Sequence, residues 1–340
     1  MKYTGGRVVP NDSEEHIETT TNKNNLAYRW SRYGLSPYST IKQHRGKMNK
    51  FLERLNSGDI LVADGATGSN LQKMGLRPGQ APEDLIIDNP ELLFKLASSF
   101  VEAGSDIILT CTFGGTRLRM KDSKYQDRAP EVNIRGAELA RKAASAREGV
   151  MVAGSLGPVG ALAKPYGPLE EADIRETFAE QAKALAEGGV DLLVIETMFA
   201  FEETTPAFEG ARSVTDLPIV VSFSYDRGVR SMMGVKPKDV IKKYSEMGAA
   251  VVGANCGTTL ENMELVAKEY ADTMPGFPLW VKPNAGIPRM DIETEQGIYD
   301  MTPEDMANFS KKYVALGAKI VGGCCGNTPE HVAAIAKAVK

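Results

Sequence analysis

The chain of 340 residues is poor in several residue types that mark particular classes of protein. Its four cysteines are too few, and wrongly spaced, for a disulfide scaffold. No apolar run approaches the roughly 18 residues that a membrane helix needs, and the N-terminus lacks the apolar core of a secretory signal. The 40 basic and 44 acidic side chains argue against the clustered basic surface that nucleic acid requires. We therefore expect a cytoplasmic protein that binds neither membranes nor nucleic acid.

Three of the four cysteines lie in two glycine-rich runs, Gly253–Gly257 and Gly322–Gly326. Each run follows a short apolar segment typical of a β-strand and leads into a helix-like segment. Cys256, Cys324 and Cys325 are therefore placed where two parallel strands would end. Three thiolates can hold a zinc ion and leave its fourth position open, which is the arrangement of a catalytic zinc site.

A structural role for these cysteines is the alternative, because free cysteine often fills small buried spaces. A single cysteine in a tight turn would favour that role. The adjacent pair Cys324 and Cys325 favours the metal site, since two neighbouring thiols inside a glycine turn fill a core poorly. A reducing compartment fits this interpretation, because zinc thiolates must stay reduced.

Residues 1–48 differ in character from the rest of the chain. They are polar and show no sustained hydrophobic periodicity, so we expect an N-terminal extension that is partly disordered. Its aromatic residues could instead dock on the body of the protein or on a partner; they are Tyr28, Trp30, Tyr33 and Tyr38.

Residues 49–340 repeat one unit, in which a short apolar run precedes a stretch with apolar residues three and four positions apart. Such alternation indicates a parallel sheet covered by helices on its outer face. Eight units in about 290 residues predict a single α/β domain, a (β/α)8 TIM barrel. A doubly wound sheet would need a glycine-rich dinucleotide turn, and Asp64–Gly68 does not match one. The eight runs are Ile60–Ala63, Asp106–Leu109, Val150–Ala153, Asp191–Ile195, Pro218–Ser222, Ala249–Gly253, Leu279–Lys282 and Lys319–Gly322.

Two carboxylates are predicted at the same mouth as the cysteines, because catalytic groups of this barrel follow the C-terminal ends of its strands. Glu196 follows an apolar run and should be nearly buried, where a lone carboxylate is costly unless it is paired. Ligand binding would provide that pairing. Asp64 follows the first run and could either bind a ligand or order a turn through backbone hydrogen bonds.

A three-thiolate zinc site has a particular chemistry, because the three negative charges outweigh the charge of the ion. Such a site is poorly suited to polarising a carbonyl. It suits a fourth ligand that must stay electron-rich, such as a substrate thiol, which loses its proton on binding. The residues therefore favour alkyl transfer to a bound thiolate.

Five segments at these strand ends resemble the homocysteine S-methyltransferase family, and most of all the homocysteine-binding module of cobalamin-dependent methionine synthase. They fall in the family's order within residues of about 50–340, over a barrel of the kind that the family shares. The segments are Asp64–Gly68, Glu196–Met198, Gly253–Cys256, Pro283–Gly286 and Gly322–His331.

The resemblance implies roles for individual residues. The zinc ligands would be Cys256, Cys324 and Cys325. The amino group of homocysteine would be held by Asp64 and Glu196. Its carboxylate would be bound by backbone amides near the first strand, those of Gly65, Ala66 and Thr67.

Two departures from the family pattern bear on the substrates. Cys111 stands in Thr110–Phe113 where the module commonly has asparagine, so it is either an inert buried thiol or a change in the acceptor pocket. The folate- and cobalamin-binding modules of methionine synthase have no counterpart in these residues. We therefore expect a methyl donor from outside, either a methyl-corrinoid on a separate protein or a donor derived from methyltetrahydrofolate.

Two alternatives remain open at this point. The first is direct transfer from S-methylmethionine or betaine, which would want aromatic faces near the zinc. Four aromatic residues could supply them: Phe113, Phe199, Phe201 and Tyr225. The second is a non-catalytic component that uses zinc structurally and binds a corrinoid protein.

Overall fold

The computed structural model describes residues 49–77, 79–291 and 297–340. At its centre is a sheet of eight parallel strands, and each strand overlaps one of the eight predicted apolar runs. A two-stranded antiparallel hairpin follows the seventh strand of this sheet. In chain order the strands are β1 (Leu61–Val62), β2 (Ile107–Leu109), β3 (Met151–Leu156), β4 (Leu192–Met198), β5 (Ile219–Phe223), β6 (Val251–Cys256), β7 (Leu279–Pro283), β8 (Arg289–Met290), β9 (Gly297–Ile298) and β10 (Ala318–Val321).

The eight central strands close into a barrel. Their order is β1–β10–β7–β6–β5–β4–β3–β2, and a parallel bridge from Ala63 to Ile107 joins the two ends of the sheet. The predicted (β/α)8 TIM barrel is therefore confirmed. Strands β6 and β10 both flank β7, so their C-terminal ends meet on one side of the barrel mouth.

Helices cover the outside of the barrel. Their buried side chains follow the helical period, as with Ile174, Phe178 and Leu185 of the sixth helix. Pro303 begins the tenth helix behind a capping box formed by Thr302 with Asp305. The helices are α1 (Lys50–Asn56), α2 (Gly68–Lys73), α3 (Leu85–Asp88), α4 (Pro90–Glu102), α5 (Ala129–Ala144), α6 (Glu171–Glu187), α7 (Phe201–Val214), α8 (Pro237–Glu246), α9 (Leu260–Thr273), α10 (Pro303–Ala315) and α11 (Pro329–Val339).

The barrel interior is a separate apolar cluster to which the strands contribute side chains such as Met151, Val220 and Trp280. Helix α1 adds Phe51 to this cluster, and the side chain of Asn49 donates to the carbonyl of Asp191 at the start of β4. Helix α1 therefore closes the N-terminal end of the barrel and leaves the opposite end as the open mouth.

Two of the sequence-based predictions concern what surrounds the barrel. The expected extension, residues 1–48, lies outside the described residues, so the boundary near residue 49 stays a prediction. Within the described ranges, no helix is long and apolar enough to cross a membrane.

Candidate metal centre and adjoining pocket

Three cysteine sulfurs converge at the mouth of the barrel. Cys256 is the last residue of β6, and Cys324 and Cys325 lie in the turn after β10. All three are free thiols whose Sγ atoms lie within 4.8 Å of one another, with Cys256 and Cys324 at 2.8 Å. Zinc–sulfur bonds of about 2.3 Å in a tetrahedral site place sulfurs about 3.8 Å apart. The three sulfurs thus converge closely enough to hold a metal ion after small shifts, and they are the one such cluster within the described part of the chain. That the metal is zinc stays a prediction.

The backbone around the sulfurs is held in an uncommon conformation. Cys256 has a φ of 55°, in the left-handed region that few residues other than glycine adopt. The amide of Cys324 donates to the carbonyl of Pro283 at 2.8 Å, and the amide of Ala285 donates to the carbonyl of Cys325 at 2.9 Å. Such strain persists only where the surroundings enforce it, and it is concentrated at functional sites.

Close approach of the strands also requires glycine at one position. A Cβ atom on Gly253 would lie 1.8 Å from the carbonyl oxygen of Trp280 on the neighbouring strand. This contact keeps β6 tight against β7 and so sets where Cys256 emerges.

Hydrogen bonds within the cluster favour a thiolate. Contacts from Cys256 and Cys324, together with one from the Tyr299 hydroxyl, lower the pKa of Cys325. Hydrogen bonding to Cys324 raises the pKa of Cys256 in turn. The shared hydrogen bonds thus favour a thiolate at Cys325, which suits a bound cation.

Asn255 links the cysteine cluster to the neighbouring strand ends. Its Oδ1 accepts from the amide of Thr197 at 2.9 Å and from the hydroxyl of Ser222 at 2.6 Å. Its Nδ2 lies 3.7 Å from the sulfur of Cys256 and 3.8 Å from that of Cys324. This fully buried amide therefore fixes the ends of β4, β5 and β6 relative to one another.

Glu196 lies near the end of β4 and lines the same cavity as the cysteines. It is 7% exposed, and its Oε1 accepts from the hydroxyl of Ser155 at 2.5 Å. Burial raises its pKa to about 7, even though the charge of Lys282 opposes that shift. Within the described ranges no lysine or arginine forms an ion pair with it. A cationic ligand would therefore be stabilised here.

Asp64 occupies a different environment. Its Oδ1 accepts from the Nζ of Lys282 at 2.7 Å, and its Oδ2 accepts from the amide of Leu109 at 2.7 Å. Both side chains of this ion pair are nearly inaccessible, with exposed fractions of 3% and 4%. Lys282 lines the large cavity with Glu196, whereas Asp64 does not.

The segment Gly65, Ala66 and Thr67 lines the cavity, and its predicted contact with a carboxylate stays a prediction. The amide of Ala66 already donates to the carbonyl of Asn327 at 3.0 Å. The amides of Gly65 and Thr67 have no backbone acceptor within the residues that the structure describes. Within the predicted segment, these two amides could donate to an anionic group.

Cys111 lies apart from the three-sulfur cluster, although it lines the same cavity. Burial, and then the charge of Glu83, raise the pKa of its thiol well above the usual value. Its sulfur is not part of the group of ligand atoms that lie within 4.8 Å of one another. Cys111 therefore contributes to the shape of the cavity and not to the donor set.

The cavity above the cysteines has a volume of about 1350 Å³. Ligand sites commonly measure about 300–1,000 Å³. Segments after β1 and β2, among them Gln80–Leu85 and Leu118–Lys124, form its outer wall. The cavity therefore has room for a second molecule beside a small amino acid.

Sequence reasoning missed three residues of this site. Lys282 was identifiable, because a lysine inside an apolar barrel strand needs a buried partner. Ser155 stands at a strand end but carried no signal that it would contact Glu196. Tyr299 could not be predicted from the ends of the barrel strands, because it follows the hairpin and reaches Cys325 only where the chain returns to the mouth.

Together these features define a class of protein: a TIM barrel whose mouth carries a cluster of three cysteines that could hold a metal ion. The family model described as homocysteine S-methyltransferase matches residues 61–339. The chain belongs to the homocysteine S-methyltransferase family, whose members are methyltransferases.

A curated relative shows a further similarity in sequence. Methionine synthase of Mycobacterium tuberculosis (strain ATCC 25618 / H37Rv) is 27% identical over 296 residues, covering 82% of this chain but 24% of that protein. The chain thus spans about a quarter of the length of this relative.

Among solved structures, the homocysteine methyltransferase MmuM from Escherichia coli in its metallated form gives a TM-score of 0.73 at 23% identity, covering 85% of this chain and 99% of that one. Its oxidized form gives 0.71 at 24%, with the same coverage. A methyltransferase from Methanosarcina mazei gives 0.54 at 14%, covering 85% of this chain and 96% of that one. Likenesses at these identities show the shared fold alone.

Proposed function

We propose that this protein transfers a methyl group to the thiol of homocysteine and so forms methionine, with zinc held by Cys256, Cys324 and Cys325. The observation that carries this proposal is the convergence of three free sulfurs beside Glu196, whose carboxylate has no lysine or arginine ion pair within the described residues. The pocket thus offers a thiolate-rich centre for the acceptor sulfur and an anionic group for its ammonium.

Zinc bound to the three sulfurs would lower the pKa of the acceptor thiol, so that the acceptor reacts as a thiolate. Glu196 would bind the ammonium, and the free amides of Gly65 and Thr67 would bind the carboxylate. As the new sulfur–carbon bond forms, the bond from the methyl group to the donor breaks and its electron pair stays with the donor. The direct contact predicted between Asp64 and the amino group stays a prediction.

The donor in this proposal is a methyl-corrinoid on a separate protein, or a donor derived from methyltetrahydrofolate. Support comes from the cavity, whose volume leaves space above the acceptor. Further support is the similarity to a methionine synthase, which this chain matches over 24% of that protein's length. A cytoplasmic location remains part of the proposal, because it keeps the cysteines reduced.

An onium donor such as S-methylmethionine or betaine is the second candidate. Of the aromatic residues proposed to receive it, Phe113 is 36% exposed and lines the cavity, and Phe199 lines an adjoining pocket. Tyr225 is buried and hydrogen-bonds to Tyr270, so it cannot present its face to a ligand.

The test is methyl transfer to homocysteine by the zinc-loaded protein with a panel of donors, each with and without a methylated corrinoid protein. Methionine formation that requires the corrinoid protein would support the first donor. Formation from S-methylmethionine or betaine alone would select the second. Failure of every donor, with zinc bound and homocysteine in excess, would favour the non-catalytic zinc- and corrinoid-protein-binding component instead.

A further inference from the structure

Lys282 is a charged residue of the pocket to which the proposed function gives no role. It belongs to β7, its side chain is 3% exposed, and it lines the cavity with Glu196 and the three cysteines. Lysine is almost never buried to this extent unless it is paired. Its hydrogen bond to Asp64 is the one that this side chain makes within the described residues.

Asp64, in turn, is withdrawn from the cavity. Lys282 and the amide of Leu109 occupy its two oxygens, and its side chain is 4% exposed. The space that it does border, shared with Phe100 and Cys111, measures about 20 Å³. A space of that size holds about one water molecule. An amino acid cannot reach Asp64 through it.

We propose that Lys282 is a specificity-determining residue of the acceptor pocket, which removes Asp64 from contact with the acceptor and leaves Glu196 as the one carboxylate that binds an acceptor ammonium. Asp64 then acts as a positioning residue, through Lys282. This inference rests on the proposed function, because it concerns how the same pocket recognises an amino thiol.

The charges of the pocket agree with this assignment. Burial lowers the pKa of Lys282, but the carboxylates of Asp64 and Glu196 outweigh it, so the net shift is upward and the side chain stays cationic. Asp64 and Lys282 therefore form a neutral pair. One ammonium can pair with the remaining charge on Glu196, whereas two free carboxylates would leave one buried charge uncompensated.

The experiment compares two acceptors that differ only in the amino group, homocysteine and 4-mercaptobutanoate. Calorimetric titration of the zinc-loaded chain gives the ratio of their dissociation constants, which isolates recognition of the ammonium. We expect a ratio of about ten- to hundredfold in the wild type and about one in Glu196→Gln. For the double variant Asp64→Asn with Lys282→Met, this ratio should stay within about threefold of the wild-type ratio.

Two results would overturn the inference. If the ratio measured for the double variant is as low as that of Glu196→Gln, Asp64 contacts the ammonium directly. If Lys282→Met alone leaves the ratio unchanged, Lys282 does not shield Asp64, because uncovering that carboxylate should raise the ratio by about tenfold.

Urea unfolding of the metal-free variants gives a readout that depends on neither zinc nor homocysteine. Lys282→Met alone should be less stable than the double variant, since it leaves a buried carboxylate without its cation. Equal stabilities would mean that no such pair exists and would overturn the inference. If the wild type binds homocysteine no better than 4-mercaptobutanoate, the proposed acceptor is wrong, whatever the unfolding comparison shows about the pair.

Discussion

Strand β4 has a carboxylate near each of its ends, and the two carboxylates differ in whether a basic side chain of the protein pairs with them. Asp191, just before the strand, accepts from Arg141 at 2.7 Å and from the amide of Val152 at 2.7 Å. Glu196, near the other end, accepts from the hydroxyl of Ser155 and has no ion pair within the described residues. The lower carboxylate is thus neutralised by the protein itself, whereas the upper one has no cationic partner within the described residues.

The same contrast extends to the two ends of the barrel. At the lower end, Asp106 contacts both Arg54 and Lys340. The three cysteines lie at the mouth, together with the two positive-φ residues Thr197 and Cys256. The N-terminal end of this fold serves stability, and the C-terminal end serves chemistry at a cost in local strain.

Loss of the metal centre should have the largest effect. We expect Cys325→Ala to lose stoichiometric zinc and with it methyl transfer, because two sulfurs remain where three are needed. Cys111→Ala is the matched control, since it removes a cysteine from the same cavity but not from the cluster. Metal analysis and transfer assays of both variants check this. Full activity in a metal-free preparation of either would contradict it.

Glu196→Gln should weaken homocysteine binding while leaving zinc bound. A charge-assisted hydrogen bond in a buried site contributes about 1.5–3 kcal/mol. That corresponds to a loss of roughly ten- to hundredfold in affinity. Calorimetric titration of the zinc-loaded variant measures it. An affinity equal to that of the wild type would make Glu196 structural, like its counterpart at the other end of the strand.

The pH dependence of homocysteine affinity provides a second test of Glu196. Burial raises the pKa of Glu196 to about 7, against a usual value of about 4.3. Only the ionised carboxylate binds an ammonium, so the wild-type advantage over Glu196→Gln should be full above pH 7 and should shrink as the pH falls below it. Titrations of both proteins from pH 8 to pH 5 would test this. An advantage that does not change with pH would contradict the assignment.

The ionised carboxylate of Glu196 should favour ligand binding but lower the free energy of unfolding. A raised carboxyl pKa means that the ionised form is disfavoured in the folded state, so this cost grows between about pH 4.3 and 7 and is complete above 7. Metal-free Glu196→Gln should therefore be more stable than the wild type above pH 7, and the difference should vanish near pH 4. Urea unfolding at the two pH values measures it, and a variant less stable at pH 8 would count against it.

The smallest effect is expected at the lower end of the strand. Asp191→Asn removes one charge, as Glu196→Gln does, but its partner Arg141 is 38% exposed. Exposed ion pairs contribute up to about 1 kcal/mol, so the free energy of unfolding should fall by that amount or less. Homocysteine affinity should not change. A loss of affinity comparable with that of Glu196→Gln would remove the contrast between the two ends.

The fold was predictable from the sequence because its signal is periodic and repeated. Each of the eight apolar runs became a strand, and the order of those strands placed Cys256 beside Cys324 and Cys325. The cysteine cluster was predictable for the same reason, since parallel strands bring their C-terminal ends together.

The pairing of the charges was not predictable from strand ends alone. Asp64 and Glu196 both stand at the mouth, yet Asp64 meets Lys282, which is 218 residues away in the sequence. Which carboxylate a lysine reaches depends on strand register and side-chain packing, and these are properties of the closed barrel. The contact of Tyr299 with Cys325 depends likewise on how the chain returns after the hairpin.

The most direct test of the account is X-ray absorption at the zinc edge, before and after homocysteine is added. Three cysteines and an open fourth position predict three sulfurs and one lighter ligand at rest, and four sulfurs with homocysteine bound. A zinc-loaded protein whose sulfur count stays at three, with homocysteine at saturation, would contradict the claim that this centre binds the acceptor thiol.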